Sequence, residues 1–162
     1  MAKGLFLFVY GTLKRGQRAH LPLCAVASFV GNASVRGELH LHREGYPVLV
    51  VPEEDVLAES TGDPVADATV GDVPPAQGGV SVLISPESWR QIRGEVLAFS
   101  APYSAISAID AYEGTKDGAE PSTYRRVLLP LEHAAVRHAW AFAATPRVDF
   151  SALSPFEADS WP

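Results

Sequence analysis

Residues 5–16 read LFLFVYGTLKRG, from Leu5 to Gly16. A short apolar and aromatic run, Leu5–Tyr10, ends at Gly11. That pattern predicts a buried strand that leaves the core at a turn. Lys14–Arg18 then reads as loop or the start of a helix. Ala25–Val30 fits a strand or a helix end. Val35–His42 (VRGELHLH) alternates and reads as a strand. Tyr46–Val51 (YPVLVV) reads as the next, since proline is tolerated at a strand's start. Val80–Ile84 and Gly94–Phe99 are β-like. Tyr124–Leu131 and Arg137–Ala143 read as two strands joined by a turn over Glu132–Val136. The clearest helix is Ser100–Glu113. Ser100 suits its cap, Pro102 its first turn and Gly114 its stop, while Ala105, Ile106, Ala108, Ile109 and Tyr112 carry the helical period. The polar tail Ser151–Pro162, with Phe150, Phe156 and Trp161 along it, is expected to dock loosely. The sum is an α+β fold: a small, mixed, mostly antiparallel β-barrel or strongly curved sheet with one or two helices.

The chain has 162 residues, which fits a single domain over 1–162. At that length a chain buries about 70% of its unfolded surface and needs no cross-links to hold a core. One cysteine, Cys24, allows no intrachain disulfide and suits a reducing, cytoplasmic setting. The apolar run near the start is too short for a secretion signal, and no stretch is long and apolar enough to span a membrane. A net charge of −6 argues against a general nucleic-acid binder. A monomer or weak homodimer acting on a small molecule is expected.

The acidity is local. Glu53, Glu54, Asp55, Glu59, Asp63, Asp67 and Asp72 fall in 53–72 with no Lys or Arg among them. The segment continues into GDVPPAQGG (71–79). Residues 53–79 therefore read as a solvated surface excursion that buries little.

Two places carry candidate chemistry. At Tyr10-Gly11-Thr12-Leu13, with Gly16 after it, a strand ends in a backbone turn. Such a turn can aim several N–H groups at one point and hold an anion or a carbonyl oxygen. It lacks the lysine and spacing of a phosphate loop. By itself it is also what any strand end looks like. The second place is Glu113. It lies four residues after Ile109 and seven after Ile106, on the stripe that faces the core. Burial disfavours the charged carboxylate and moves it toward the range of a useful general base. A half-exposed helix end, or a pair with an arginine, is the plainer alternative. Tyr124 and Arg126 share one strand face, and Arg125 points the other way. Arg126 fits either a pocket group or an exposed strand charge.

Taken in order, FVYGTLKRG, GELHLHREGYPVLV, RGEVLAF and IDAYEG followed by TYRRVLLP resemble the γ-glutamylcyclotransferase superfamily. The similarity is greatest to its AIG2-like and γ-glutamylamine cyclotransferase branch. It runs from about Leu5 to Ala143, interrupted by the acidic excursion. The resemblance implies a small mixed barrel that releases 5-oxoproline from γ-glutamyl compounds without metal or organic cofactor. It maps a substrate loop onto Tyr10, Gly11, Thr12 and Leu13, the catalytic acid/base onto Glu113, and a Y-x-R element onto Tyr124 and Arg126. The chain departs from the pattern in the 53–79 excursion and at His40, where the family often has tyrosine. Two further readings are a binding module that kept the pocket without turnover and an enzyme for a different acyl substrate.

Other candidates carry less. His40 and His42 share a strand face with Glu38, but nothing supplies a closed metal ligand set. Cys24 sits in LPLCAVA and reads as a buried structural thiol, with His20 four residues away. Trp89, Trp140 and Trp161 are expected to pack.

Overall fold

The computed structural model describes residues 4–70, 89–113, 123–146, 148 and 150–162. In chain order they form β1 (Leu5–Val9), α1 (His20–Cys24), β2 (Ser28–His42), β3 (Pro47–Val50), β4 (Ala58–Glu59), α2 (Pro64–Val70), β5 (Arg90–Phe99), α3 (Ser104–Glu113), β6 (Tyr124–Pro130), β7 (His138–Ala144) and β8 (Leu153–Pro155). Single 3-10 turns at Glu53–Asp55 and Phe150–Ala152 complete the path. The sheet runs β3-β2-β5-β1-β7-β6-β4, with β8 paired to β2. The β1–β7 pair is parallel and the other ladders are antiparallel.

The α+β, mostly antiparallel expectation holds. The described pairings run from β3 to β4 and do not close a barrel. The outer strands are four and two residues long, which leaves little backbone for a closing ladder. Among the described residues there are three α-helices where one or two were expected. The strand proposed at Val80–Ile84 and the stop at Gly114 lie outside the described residues. Among the described residues no helix is long and apolar enough to cross a membrane.

The unbroken run of β1 now has a cause. It lies inside the sheet, between β5 and β7, and both its faces are covered. Leu5, Leu7 and Val9 pack with Leu97, Phe99, Ile106, Ile109, Trp140 and Phe142 beneath α3. Phe8 and Tyr10 pack on the other side with Val35, Leu49, Ile92, Val96 and Val127. A strand buried on both faces has no polar side to alternate. Gly94 lets β5 cross close to the end of β1, since a Cβ there would run into the Val9 carbonyl. The exit of β1 into its turn is thereby set by close packing.

Helix α3 begins at Ser104, not Ser100. The Tyr103 N–H donates to the Ser100 carbonyl at 3.2 Å, and Tyr103 has φ of 62°. That left-handed conformation cannot continue a right-handed helix, so the first helical turn starts after it. The tail also packs on the body. It adds β8 to β2 and sets Phe156 against Trp161, with ring centroids 5.2 Å apart.

The largest correction concerns the acidic segment. Over 53–70 part of it folds onto the body: Asp67 is buried and Asp55 half-buried, while Glu53, Glu54, Glu59 and Asp63 remain exposed. Arg36 on β2 makes a two-pronged contact with Asp55, at 3.0 and 2.8 Å, and reaches Glu54 at 3.3 Å. Arg125 on β6 pairs with Glu53. Asp67 on α2 is fully buried against Arg126. The excess acids of one stretch thus answer arginines projected by two distant strands. A charge count along the chain cannot see such pairing.

Candidate active site

The turn after β1 is held in one orientation by its carbonyls. The Gly11 oxygen accepts from the Lys14 N–H at 3.0 Å and the Thr12 oxygen from the Ala19 N–H at 3.1 Å. The Leu13 oxygen accepts from His20 Nδ1 at 2.8 Å. A trans peptide is planar, so each N–H points opposite to the carbonyl it shares a plane with. The Thr12 and Leu13 N–H groups therefore face away from the Lys14–His20 side. Among the described residues, the N–H groups of Gly11, Thr12 and Leu13 have no hydrogen-bond acceptor. Distant segments brace the turn: Lys14 Nζ donates to the Trp161 carbonyl at 2.6 Å, and the Arg15 N–H to Glu95 at 2.9 Å.

Gly11 is buried against Pro47, and a Cβ at that position would lie 2.6 Å from Pro47 Cγ. The Pro47 carbonyl in turn accepts from the Tyr124 hydroxyl at 2.5 Å. A methyl at Gly11 has to push either the turn or this tyrosine. Gly11→Ala is accordingly expected to lower stability by about 1–3 kcal/mol, the usual cost of overpacking. A urea melt checks this; an unchanged midpoint means that Pro47 can yield without cost.

Tyr10 is buried, and its hydroxyl ties three strands together. It donates to the Phe142 carbonyl at 2.7 Å and accepts from the Leu49 N–H at 3.2 Å. Burial raises its phenol well above the ordinary range, and the Glu113 charge raises it further. Tyr124 is raised likewise by burial, then by Tyr10 and Glu113. Both phenols keep their protons. Tyr46 lies 6.0 Å from the Tyr124 ring and stacks on His42 at 4.3 Å.

Glu113 ends α3 and is half-buried, while Ile106 and Ile109 on the same stripe are fully buried. Burial pushes its carboxyl up to about 7, and the nearby Asp110 carboxylate adds to the rise. Among the described residues, no group donates a hydrogen bond to it. Its charge is felt at Tyr10, Tyr124 and Cys24. Val9 and Leu13 on either side of the turn's start, Ile106 and Ile109 of α3, and Tyr124 at the start of β6 belong to one core cluster.

Tyr124 and Arg126 do share a face of β6, and both are buried. The exposed alternative for Arg126 is wrong: 1% of it is accessible. Its Nε and Nη2 donate to the two oxygens of Asp110, each at 2.8 Å, and its Nη1 donates to Asp67 at 2.8 Å. Arg125 lies on the other side with Glu53, as its alternation requires. Asp110 was missed by the reading of the sequence. The period that marks Glu113 marks it too, since it lies four residues after Ile106 and three before Glu113. Asp67 had no local signal at all.

Among the described residues, no three metal-ligating side chains converge. His42 accepts the Glu44 N–H at 3.1 Å, and His40 lies edge-on to Phe150. Cys24 is fully buried; burial, then the Glu113 charge, pushes its thiol up to about 12. It stays protonated and is no nucleophile. Trp140 is core, 2% accessible.

Several solved proteins share this fold. The AIG2-like protein of Mus musculus superposes with a TM-score of 0.60 at 17% identity, over 99% of this chain and 89% of that one. A uropathogenic E. coli-specific protein superposes with a TM-score of 0.54 at 13% identity, over 94% and 87%. YkqA from Bacillus subtilis gives 0.54 at 18% identity, over 98% of this chain and 39% of that one. No curated protein sequence matches significantly. The profile of the family described as "Gamma-glutamyl cyclotransferase, AIG2-like" matches residues 7–62 and 55–162. The chain belongs to that family.

Proposed function

We propose that this protein releases 5-oxoproline and a free amine from a γ-glutamyl amide by intramolecular aminolysis. The observation that carries the reading is Glu113: a half-buried carboxyl at the end of α3, on the stripe of Ile106 and Ile109, pushed up to about 7 and with its charge bearing on Tyr10 and Tyr124. A γ-glutamyl compound brings its own nucleophile, so the protein needs no activated Ser or Cys. Glu113 takes a proton from the α-ammonium. The freed amine nitrogen attacks the γ-carbonyl carbon, a C–N bond forms, and the carbonyl π pair moves onto oxygen. When that pair returns, Glu113 hands its proton to the departing amine as the bond to it breaks, and the freed carboxylate takes the surplus proton from the ring nitrogen and passes it to solvent, leaving the neutral lactam.

Tyr10, Gly11, Thr12 and Leu13 form the substrate-binding wall in this reading. The N–H groups of Gly11, Thr12 and Leu13 hold the oxyanion or the α-carboxylate; losing one such donor typically costs about 10²–10³ in rate. Holding the two ends of one molecule in ring-closing geometry supplies several kcal/mol more, since aligned groups have large effective molarities. The Tyr124 phenol borders the substrate. Arg126 supports the site from behind through Asp110, because its guanidinium is taken up by two carboxylates. The reaction uses no metal or organic cofactor.

The test is a panel of γ-glutamyl amines and γ-glutamyl amino acids, with 5-oxoproline as the readout. At least one member is expected to be turned over, with kcat/KM rising as pH passes about 7, where Glu113 loses its proton. No 5-oxoproline from any member, together with measurable binding of one, would make the protein a binding module instead.

A further inference from the structure

Asp67 is fully buried although it belongs to the most acidic stretch of the chain. Its carboxylate accepts four hydrogen bonds. Ser60 Oγ at 2.7 Å and Arg126 Nη1 at 2.8 Å reach one oxygen, and the Thr61 N–H at 3.0 Å and Thr61 Oγ1 at 2.9 Å reach the other. Arg126 grips Asp110 with its other two donors. One guanidinium thus holds two buried carboxylates from separate helices. Burying ions costs several kcal/mol each before pairing repays it, so apolar residues would serve as a plain anchor at least as well. Asp110 lies on the turn of α3 directly before Glu113.

We propose that Asp67 is a positioning residue of the Glu113 site: through Arg126 it holds Asp110 one helical turn behind the carboxyl and couples the fold of the acidic segment to the charge of the site. As a role in turnover this rests on the function proposed above; as a coupling it does not. The described titratable and charged groups that bear on Glu113 are Tyr10 from the end of β1, Cys24 from α1, Tyr124 from β6 and Asp110 on its own helix. The phenols and the thiol stay protonated near neutral pH. The negative field at Glu113 therefore comes from Asp110, and Asp67 and Arg126 set its net size and its place.

The test titrates Glu113 directly, by carboxyl ¹³C resonances of glutamate-labelled protein. The Glu113 signal is the one lost in Glu113→Gln. Its midpoint is expected at about 7 in the unaltered chain. Asp67→Asn removes one negative charge from the group around Arg126 and leaves its guanidinium to offset Asp110 more fully, so the midpoint should fall. Asp110→Asn should move it the same way. Ser60→Ala removes a dipole that offsets the Asp67 charge and removes no charge, so it should move the midpoint upward. A midpoint that falls in Asp110→Asn but stays put in both Asp67→Asn and Ser60→Ala would make Asp67 a structural anchor only. Should Asp67→Asn not fold, an unmoved midpoint in Ser60→Ala alone overturns the proposal. The titration needs no substrate. Shifted midpoints without 5-oxoproline release would keep the coupling and sink the proposed activity; release with unmoved midpoints would do the reverse. In turnover, Asp67→Asn should lower kcat, hold KM, and displace the rising limb of kcat/KM to lower pH.

Discussion

Glu113→Gln is expected to reduce 5-oxoproline release by about 10²–10⁴-fold, the usual worth of a positioned general acid–base group. Glutamine keeps the size of the side chain and removes only the exchangeable proton. Substrate binding, which rests on the Gly11–Leu13 turn, should persist, so KM should change far less than kcat. The same change should make the protein more stable above neutral pH. The carboxyl sits at about 7 in the fold against an ordinary 4.5, so folding favours its protonated form. That contribution is fully present below 4.5 and is lost as pH rises through about 7. The unaltered protein therefore loses stability across this window, by up to about 3 kcal/mol, and Glu113→Gln should not. Urea melts at pH 5 and pH 8 read the difference. A variant that turns over substrate like the parent would remove Glu113 from the mechanism. Parallel stability curves would show that its burial carries no charge penalty.

Arg126→Met should be the most damaging single change to the fold. Methionine fills much of the same volume but takes the Arg126 guanidinium away from two buried carboxylates, Asp67 and Asp110. Breaking a buried pair by removing one partner costs about 3–5 kcal/mol, and here one partner serves two. Domains of this kind are stable by about 5–15 kcal/mol in all, so the loss is a large share of the total. The remedy identifies the cause. Adding Asp67→Asn and Asp110→Asn to Arg126→Met removes both stranded charges and should restore part of the loss, measured as a non-additive cycle. If the triple variant is no more stable than Arg126→Met, the damage comes from lost packing against Trp140, which lies 5.4 Å from the guanidinium carbon.

Much of the site was legible along the chain, because its signals are local. The run Leu5–Tyr10 closing on Gly11 announces a buried strand that ends in a turn. The spacing of Ile106, Ile109 and Glu113 announces an acid on a core-facing stripe. These follow from the two periods that backbone geometry imposes, and they need no knowledge of what lies opposite. The start of α3 was misread because serine and proline suit a helix start, whereas the left-handed backbone at Tyr103 is imposed by the chain's path into the helix.

The partners were not legible. Arg126 meets Asp110 16 positions away and Asp67 59 positions away. Ion pairing depends on distance in space, and composition reports only density along the chain. Read alone, residues 53–70 were an acidic surface loop and Arg126 a guanidinium of unknown direction. The amino-acid sequence by itself determined most of the longer strands, the α3 helix and its core-facing stripe, and the strand that ends in the Gly11 turn. The register of β6 beside β7 and the return of α2 onto β6 decided that this arginine would be sealed between two carboxylates, because only a packed sheet brings such distant charges within hydrogen-bonding reach and excludes water from them.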